Sequence, residues 1–392
     1  MIVTALIFLI ILSALVLIHE LGHFLVAKRL NIKVEEFGFG LPPRIVGIKR
    51  GETLYSINWL PIGGFVKLYG EDDAGSGSVK LKNKSEKLKI KDTNRAFFAR
   101  SVWQRAAVVV AGVVMNTVLA VIIFYAFIFL SGFRTELPLL SDHHFFGVNQ
   151  TVKTDITIDA VEKKSPAALA GIPQGAQVTQ INDQKVLDVD AFTTQIKKSA
   201  GKEISISYID PNSKKNVVKT LIPRVNPPKG QGALGVSLFG LRTAVLTYQT
   251  PLQKIFSGVI HPANLLVYNF EIMGQLVKAA VKEHNAAPLS EGVSGPVGIF
   301  SIVGTIVQIP DMKERVLQLL NLAGILSISL AFFNILPIPA LDGGRFFFIL
   351  IEGIFGKKIN PKYEALAHTI GMAVLLTLIL LVTFKDIFQF IL

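Results

Sequence analysis

Four long segments of almost uninterrupted apolar sequence constrain the fold of this chain more than any other feature. They cover residues 2–27, 106–130, 316–341 and 365–384. A helix needs about 20 residues to cross the hydrocarbon core of a bilayer, and each segment meets that length. Hydrophobic residues make up 51% of the chain and charged residues only 17%, against about 25% charged residues in a soluble domain. The sequence therefore predicts a multi-pass α-helical membrane protein with four transmembrane helices.

The distribution of basic residues predicts how these helices are oriented. The formal net charge is +12, and membrane proteins concentrate Lys and Arg in their cytoplasmic loops. Such residues are frequent in residues 28–105 and recur in residues 343–364. We therefore expect both loops in the cytoplasm, both chain ends outside, and no nucleic-acid partner. No basic residue precedes the first apolar segment, which favours an uncleaved span over a signal peptide.

The first apolar segment ends in a motif with metal-ligand spacing, His19-Glu20-Leu-Gly-His23. On a helix, side chains at positions i and i+4 share one face, so both imidazoles can bind one zinc ion. A carboxylate is costly in an apolar span; zinc would offset that cost, and Glu20 would act as general base on the attacking water. The alternative is that both histidines are buried polar residues satisfied by neighbouring helices. The chain has no cysteine, which excludes thiolate ligands and disulfides.

A third zinc ligand is predicted at Asp342, near the end of Asn334-Ile-Leu-Pro-Ile-Pro-Ala-Leu-Asp-Gly-Gly344. A catalytic zinc site takes three protein ligands and keeps a fourth position open. The two prolines of this segment interrupt the helix, and the two glycines let a carboxylate turn inward at membrane depth. Two alternatives remain. Asp342 could cap the following helix, or His368, at the start of the fourth apolar segment, could supply the ligand.

Residues 55–69, between the first two apolar segments, combine two strand-like apolar runs with the turn residues Pro61-Ile-Gly-Gly64. This pattern predicts a β-hairpin. The hairpin is unusually apolar for a cytoplasmic loop, so we expect it to be membrane-associated, where irregular backbone survives against protein or water.

The sequence between the second and third apolar segments is more polar and predicts structure outside the membrane. A helical amphipathic pattern covers residues 240–285, and we expect Pro251 and Pro262 to break it. We divide the chain into a first catalytic half (1–150), an α+β domain (151–225), amphipathic surface helices with a connector (226–315) and a second catalytic half (316–392).

The two metal motifs, in this order, resemble those of the site-2 protease family of intramembrane zinc metalloproteases. Further matches are Gly38-Phe-Gly40, Pro61-Ile-Gly-Gly-Phe-Val-Lys67, Ser101-Val-Trp-Gln-Arg-Ala106, Asn116 and Gly295-Pro296. The resemblance covers nearly the whole chain. It implies one Zn²⁺ per chain, held by His19, His23 and Asp342, with Glu20 as the catalytic residue.

The resemblance also implies the substrates. Members of the family cleave transmembrane segments of single-span proteins that another protease has already shortened. Anti-sigma factors and signal-peptide remnants at the bacterial cytoplasmic (inner) membrane are such substrates, in regulated intramembrane proteolysis. By the same resemblance, Asn334 contacts the substrate backbone or the oxyanion, although an amide satisfied between helices is an equal alternative. The remaining substrate-binding residues would be Pro337 and the hairpin residues Gly63, Gly64, Phe65 and Val66, which offer an edge strand.

Residues 151–225 resemble a PDZ domain. The match rests on Ser165-Pro-Ala-Ala-Leu-Ala-Gly171, Gly175-Ala-Gln-Val178 and Ile181-Asn-Asp-Gln184. A PDZ domain on the extracytoplasmic side would bind an extended C-terminus along a strand edge, or it would exclude substrates with bulky ectodomains. Gly175-Ala176 stands where the family usually has Gly-Asp, which weakens the first role and leaves the second.

Two other classes of function compete with the protease. A catalytically inert membrane scaffold would have lost one of His19, Glu20, His23 or Asp342, and all four are present. A metal transporter would usually show paired repeats and more broken helices, and the sequence shows no internal repeat. The sequence therefore favours the intramembrane zinc protease.

Overall fold

The computed structural model describes residues 1–71, 93–284, 293–357 and 359–390. Within these residues the chain forms two compact units. Met1–Ser131 and Ile255–Leu392 make the first unit, and Gly132–Lys254 makes the second. The first unit contains all the residues of the predicted metal site, and the second contains the whole of the predicted α+β domain.

The helices and strands of the two units follow one another along the chain. In order, they are α1 (Ile2–Arg29), β1 (Val34–Arg50), β2 (Thr53–Leu68), α2 (Val102–Leu130), β3 (Arg134–Pro138), β4 (Asn149–Val161), α3 (Pro166–Leu169), β5 (Gln177–Ile181), β6 (Gln184–Lys185), α4 (Val189–Lys198), β7 (Ile204–Ile209), β8 (Asn216–Leu221), β9 (Val236–Thr247), α5 (Pro251–Glu283), α6 (Pro296–Val307), α7 (Met312–Ile335), α8 (Asp342–Phe355) and α9 (Pro361–Phe390).

Among the described residues, four helices are long and apolar enough to cross a membrane, in agreement with the four predicted spans. They are Ile2–Arg29, Val102–Leu130, Met312–Ile335 and Lys362–Gln389. The third ends at Ile335 rather than at residue 341. Pro337 and Pro339 explain the earlier end, because proline lacks a backbone N–H and disfavours helical backbone in the residue before it.

The ends of the helices follow from local sequence. Ser101 and Gln104 form a capping box at the start of α2, in which each side chain accepts a hydrogen bond from the other residue's backbone N–H. Asp311 accepts from the backbone N–H of Glu314 at 2.7 Å and so begins α7. These bonds satisfy donors that a helix start otherwise leaves unpaired.

Small residues allow the spans to pack closely around α2, which contacts both α1 and α7. A Cβ added to Gly22 would lie 2.8 Å from Cγ of Met115, and one added to Gly324 would lie 2.8 Å from the Phe124 ring. The hydroxyl of Ser327 donates to the backbone oxygen of Asn116 at 2.8 Å. Close backbone approach of this kind is the usual basis of helix association in membranes, where lipid removes the hydrophobic drive.

The sheet formed by β1 and β2 differs from the predicted hairpin in its pairing. The chain reverses at Gly51, which has a φ of +64°. Phe37 of β1 pairs with Tyr55 on one side and with Val66 on the other. The two apolar runs of residues 55–69 therefore do not pair with each other, and the predicted hairpin is wrong in this respect. Non-local pairing with β1 overrides the local turn signal.

Specific contacts fix this sheet against α1. The hydroxyl of Ser13 donates to the backbone oxygen of Pro61 at 2.8 Å. At the other end, Glu52 accepts hydrogen bonds from Arg95 at 2.8 Å and from Lys28 at 2.6 Å. The bonds from Arg95 and Lys28 lower the pKa of Glu52 from its ordinary value to about 2. The carboxylate of Glu52 thus joins the reversal between the strands to the last turn of α1.

The second unit is built on a sheet with the strand order β3-β9-β4-β5-β7-β8, and β6 pairs with β5. Its core contains Ile156, Ile181 and Ile206, together with Phe192 and Ile196 of α4. These two α4 residues are four positions apart and therefore lie on one helix face. The unit has the α+β composition expected for residues 151–225, and it extends beyond both ends of that range.

The region predicted as a broken amphipathic helix needs two corrections. Residues 236–247 form β9, which pairs along β4, so the first part of residues 240–285 is strand. Pro251 is the first residue of α5, and Pro262 lies inside that helix without ending it. Packing holds the helix continuous, because buried residues follow one face: Ser257, His261, Asn264, Leu265 and Tyr268.

Candidate metal centre

His19, His23 and Asp342 lie together in the first unit, as a group able to hold a metal ion. Oδ2 of Asp342 lies 2.9 Å from Nε2 of His19 and 3.2 Å from Nε2 of His23. The two Nε2 atoms are 3.2 Å apart. Three ligands of a tetrahedral zinc ion, each bonded at 2.0–2.1 Å, would be about 3.3 Å apart. The three atoms therefore fit a zinc ion with its fourth position open.

Hydrogen bonds on the far side of each imidazole orient the two Nε2 atoms. Nδ1 of His23 lies 2.8 Å from the backbone oxygen of Val108. A carbonyl can only accept, so Nδ1 carries the proton and Nε2 presents its lone pair to the centre. Nδ1 of His19 lies 3.2 Å from the side-chain nitrogen Nδ2 of Asn116. A half-turn of this amide exchanges its nitrogen and oxygen, and in that orientation the oxygen accepts from Nδ1 of His19, which leaves Nε2 free for a metal.

Glycine at position 112 lets α2 approach the two histidines. A Cβ added to Gly112 would lie 2.5 Å from Nε2 of His23 and 2.6 Å from Cε1 of His19. Real atoms do not approach this closely without displacement. The site therefore requires the absence of a side chain at this position.

The break between α7 and α8 presents the carboxylate of Asp342. Asp342 is the first residue of α8, and Leu341 occupies the capping position without a side-chain hydrogen bond. The alternative in which Asp342 caps the helix therefore does not hold, since its carboxylate contacts the imidazoles. Gly343 and Gly344 make the bend possible: an added Cβ would lie 2.5 Å from the backbone oxygens of Ile335 and Ile338, respectively.

A cavity of about 260 Å³ borders the metal centre and is lined by Glu20, His23 and Asp342. Its volume accommodates several water molecules, and its polar lining can hold them. Glu20 follows His19 on α1 and lines this cavity together with two of the three residues of the metal group. This arrangement suits a general base.

The edge of β2 forms one wall of the same cavity. Phe65 and Val66 line it, and a Cβ added to Gly64 would lie 3.7 Å from Cγ of Glu20. Gly63 has a φ of +85° and lies against Val16 of α1. In the part of the chain that the structure describes, β1 pairs with residues 64–68 on one side, and no strand pairs with the other.

The other two predicted substrate-binding residues lie elsewhere. Asn334 is half-buried in the last turn of α7, and Pro337 is exposed in the bend. Neither lines the cavity beside Glu20. His368, the alternative third ligand, is also absent from the metal group, and its ring contacts the bend before Asp342 instead.

Within the described residues, α8 forms ion pairs with the rest of the first unit at two points. Arg345 binds Glu71 at 2.8 Å, and both residues line the cavity. Burial raises the pKa of Glu71 above its ordinary value, and the charge of Arg345 opposes that shift. Glu352, two turns further along α8, binds Arg105 of α2 at 2.6 Å. The helix that supplies Asp342 is therefore held by charge at both ends.

Sequence reasoning assigned no role in the site to several of these residues, although it noted Asn116 as a match to the family. Arg345 and Glu71 could not be paired from sequence, because 274 positions separate them. Gly112 and Asn116 left a signal, since a glycine and an amide four positions apart share one face of an apolar helix. Such polar residues in a span face protein and not lipid.

Comparisons with known proteins identify the family of the chain. Residues 7–378 match peptidase family M50. The chain is 34% identical over 375 residues to a protein of Clostridium perfringens that is provisionally named a zinc metalloprotease. This match covers 96% of each chain. It is 29% identical to the regulator of sigma-W protease RasP of Bacillus subtilis, covering 98% of each chain. It is also 29% identical, over 453 residues, to the zinc metalloprotease RasP of Bacillus licheniformis, and this match covers 98% of each chain.

Proposed function

The chain belongs to peptidase family M50 and is a zinc metalloprotease, and we propose that it hydrolyses peptide bonds within transmembrane segments of single-span membrane proteins. The observation that carries the proposal is the meeting of Asp342 with both histidines, at 2.9 and 3.2 Å. His19 and His23 belong to one apolar span, so the hydrolytic centre lies within the apolar part of the protein.

The proposed mechanism gives each residue one role. His19, His23 and Asp342 would hold the zinc ion, which would act as a Lewis acid on the scissile carbonyl. Glu20 takes a proton from a water molecule in the cavity as the water oxygen attacks the carbonyl carbon. The C–N bond then breaks, and Glu20 gives the proton to the leaving nitrogen. One water molecule is consumed and two shorter chains are released.

We propose that the open edge of residues 64–68 binds the substrate. A transmembrane helix buries its amides in internal hydrogen bonds, so its backbone must be extended before a peptide bond can reach the metal. Strand addition holds a peptide in that form. Phe65 and Val66 line the cavity beside Glu20, so an added strand would pass the general base. Asn334 and Pro337 remain proposed substrate contacts by resemblance to the family.

The position of the protein in the cell is proposed from charge and exposure. The basic loops orient the chain with residues 28–105 in the cytoplasm of a bacterial cell, under the inner membrane. Ile48 and Trp59 of the β1–β2 sheet are exposed by 71% and 68%, which supports contact of this sheet with lipid. The second unit would then lie on the extracytoplasmic side.

The substrates are proposed to be anti-sigma factors or signal-peptide remnants, after prior truncation. One relative is named a regulator of sigma-W protease, which supports the first class. We propose that the second unit acts as a PDZ domain. Among the described residues, no strand pairs with the outer edge of Val236–Leu241, and Gly240 there lies against Val189 of α4. This edge could bind an extended C-terminus, while the bulk of the unit would exclude untruncated substrates.

The test is cleavage of a truncated single-span reporter by the purified full chain in liposomes. Wild type should cut the reporter, and 1,10-phenanthroline should abolish the activity. Glu20→Gln should lower kcat by about 100-fold or more, because a carboxamide cannot take the water proton. Glu203→Gln, the same change at an exposed position of the second unit, is the matched control and should cut normally.

Undiminished cutting by Glu20→Gln would exclude the proposed mechanism. Absence of zinc from the purified wild type, together with absence of cleavage, would favour the inert scaffold. Equal cutting of intact and truncated reporters would exclude size selection by the second unit.

A further inference from the structure

The backbone just before Asp342 has an unusual conformation. Ala340, two positions earlier, has a φ of +83°. L-residues other than Asn and Asp rarely adopt this region, because Cβ crowds the backbone. Strained backbone of this kind persists only where surrounding contacts impose it. Ala340 also lines the cavity beside the metal centre.

His368 of α9 provides one such contact. Its Nδ1 lies 2.9 Å from the backbone nitrogen of Ala340. The backbone N–H can only donate, so Nδ1 is the acceptor and the proton of the neutral ring lies on Nε2. His368 is only 6% exposed, and its ring packs against Phe348 of α8, with ring centroids 5.6 Å apart. The imidazole thus contacts both the bend and the helix that follows Asp342.

Gly371, three positions after His368 and on the same face of α9, provides a second contact. A Cβ added to Gly371 would lie 2.7 Å from the carbonyl carbon of Pro339. The bend therefore lies directly on the α9 backbone at this point. Together, His368 and Gly371 bring α9 into contact with Ala340 and Pro339 of the bend.

We propose that His368 is a positioning residue for Asp342 and acts through the backbone of Ala340. This proposal rests on the function proposed above. Its hydrogen bond holds Ala340 in the backbone conformation that aims the Asp342 carboxylate at the two imidazoles. Among the described residues, His368 is neither in the metal group nor in the lining of the cavity beside Glu20. Its loss should therefore weaken metal binding and slow turnover while leaving substrate binding intact.

The experiment measures zinc affinity, by competition with a chelator, on full-length variants in detergent. His368→Leu removes the acceptor, and the zinc Kd should rise about 10–100-fold, as for other supports of metal ligands. In the reporter assay kcat should fall, with KM within about twofold of wild type. His368→Asn retains an acceptor close to the position of Nδ1 and should restore most of both losses.

The zinc measurement separates this proposal from the proposed function. It is repeated in the Glu20→Gln background, where cleavage is strongly reduced, and the rise in Kd should be the same. If wild type fails to cut the reporter, the proposed function fails while the Kd comparison still tests His368. A purely structural histidine would lower the Tm of the zinc-free protein equally in both His368 variants, with unchanged zinc affinity.

A second variant covers the case in which His368→Leu does not fold. Gly371→Ala displaces Pro339 and should raise the zinc Kd in the same direction. The proposal is overturned if folded His368→Leu binds zinc as tightly as wild type, or if His368→Asn is no better than His368→Leu. A folded Gly371→Ala variant with the zinc Kd of the wild type would also overturn the proposal.

Discussion

The side chains of Asn116 and His19 contact each other at 3.2 Å, through the ring nitrogen that faces away from Asp342. Asn116 is completely buried, on the face of α2 that packs against α1. Its backbone oxygen also accepts a hydrogen bond from Ser327 of α7. One residue therefore connects a proposed zinc ligand to two other spans.

Asn116→Ala should weaken zinc binding and activity without preventing folding. The ring of His19 loses the partner that fixes its orientation, so both zinc affinity and kcat/KM should fall by about 10–100-fold. Chelator competition and reporter cleavage measure the two effects. Thr117→Val is the matched control, since Thr117 is exposed and its hydroxyl binds only the Val113 backbone oxygen among the described residues. Normal zinc binding by Asn116→Ala would show that the contact does not support His19.

Gly112→Ala should abolish zinc binding or reduce it severely. The added methyl group would lie 2.5–2.6 Å from atoms of both imidazoles, so one ring must leave its position. Metal analysis of the purified variant is the measurement. Gly274→Ala serves as the control, because a Cβ added to this glycine of α5 meets nothing within 4 Å, and alanine favours a helix over glycine. Full zinc occupancy in Gly112→Ala would contradict the close approach of α2.

Arg105→Ala should lower the thermal stability of the protein. It leaves Glu352, which is partly buried, without its 2.6 Å partner, at a cost of up to about 3–5 kcal/mol. Melting in detergent is the measurement. The double variant Arg105→Met, Glu352→Leu should melt above Arg105→Ala, since it removes both charges. If the double variant melts below Arg105→Ala, apolar side chains cannot replace the ion pair between Arg105 and Glu352.

The contribution of Glu52 should depend on pH. Its pKa is lowered to about 2 by the hydrogen bonds from Arg95 and Lys28, from about 4.3 in an unfolded chain. The stability that it contributes is therefore present above about pH 4.3 and is lost as the pH falls towards 2. Glu52→Gln should melt below wild type at pH 7, and the difference in Tm should shrink as the pH falls through that range. A difference that is constant from pH 7 to pH 3 would exclude the charge as its cause.

Hydropathy and helix spacing are enough to predict the spans and the motif residues. The structure places His19 and His23 on one helix face, and proline chemistry explains why α7 ends before Asp342. The β1–β2 register cannot be predicted in this way, because the central position of Phe37 between Tyr55 and Val66 depends on pairing between distant residues. For the same reason the sequence predicts a helix where β9 forms. The amphipathic pattern of this segment is compatible with either a helix or a strand, and pairing with β4 selects the strand. The predicted break at Pro262 is wrong, since packing along one face of α5 outweighs one missing hydrogen bond.

Within the described structure, His19 and Asp342 meet although 323 positions separate them in the chain. During synthesis, the two histidines therefore leave the ribosome long before the carboxylate that completes their group. A nascent chain with α1 and α2 already inserted holds only two of the three proposed ligands. The proposed hydrolysis must then await the helix that carries Asp342, and an incomplete translation product would lack the full set of proposed ligands.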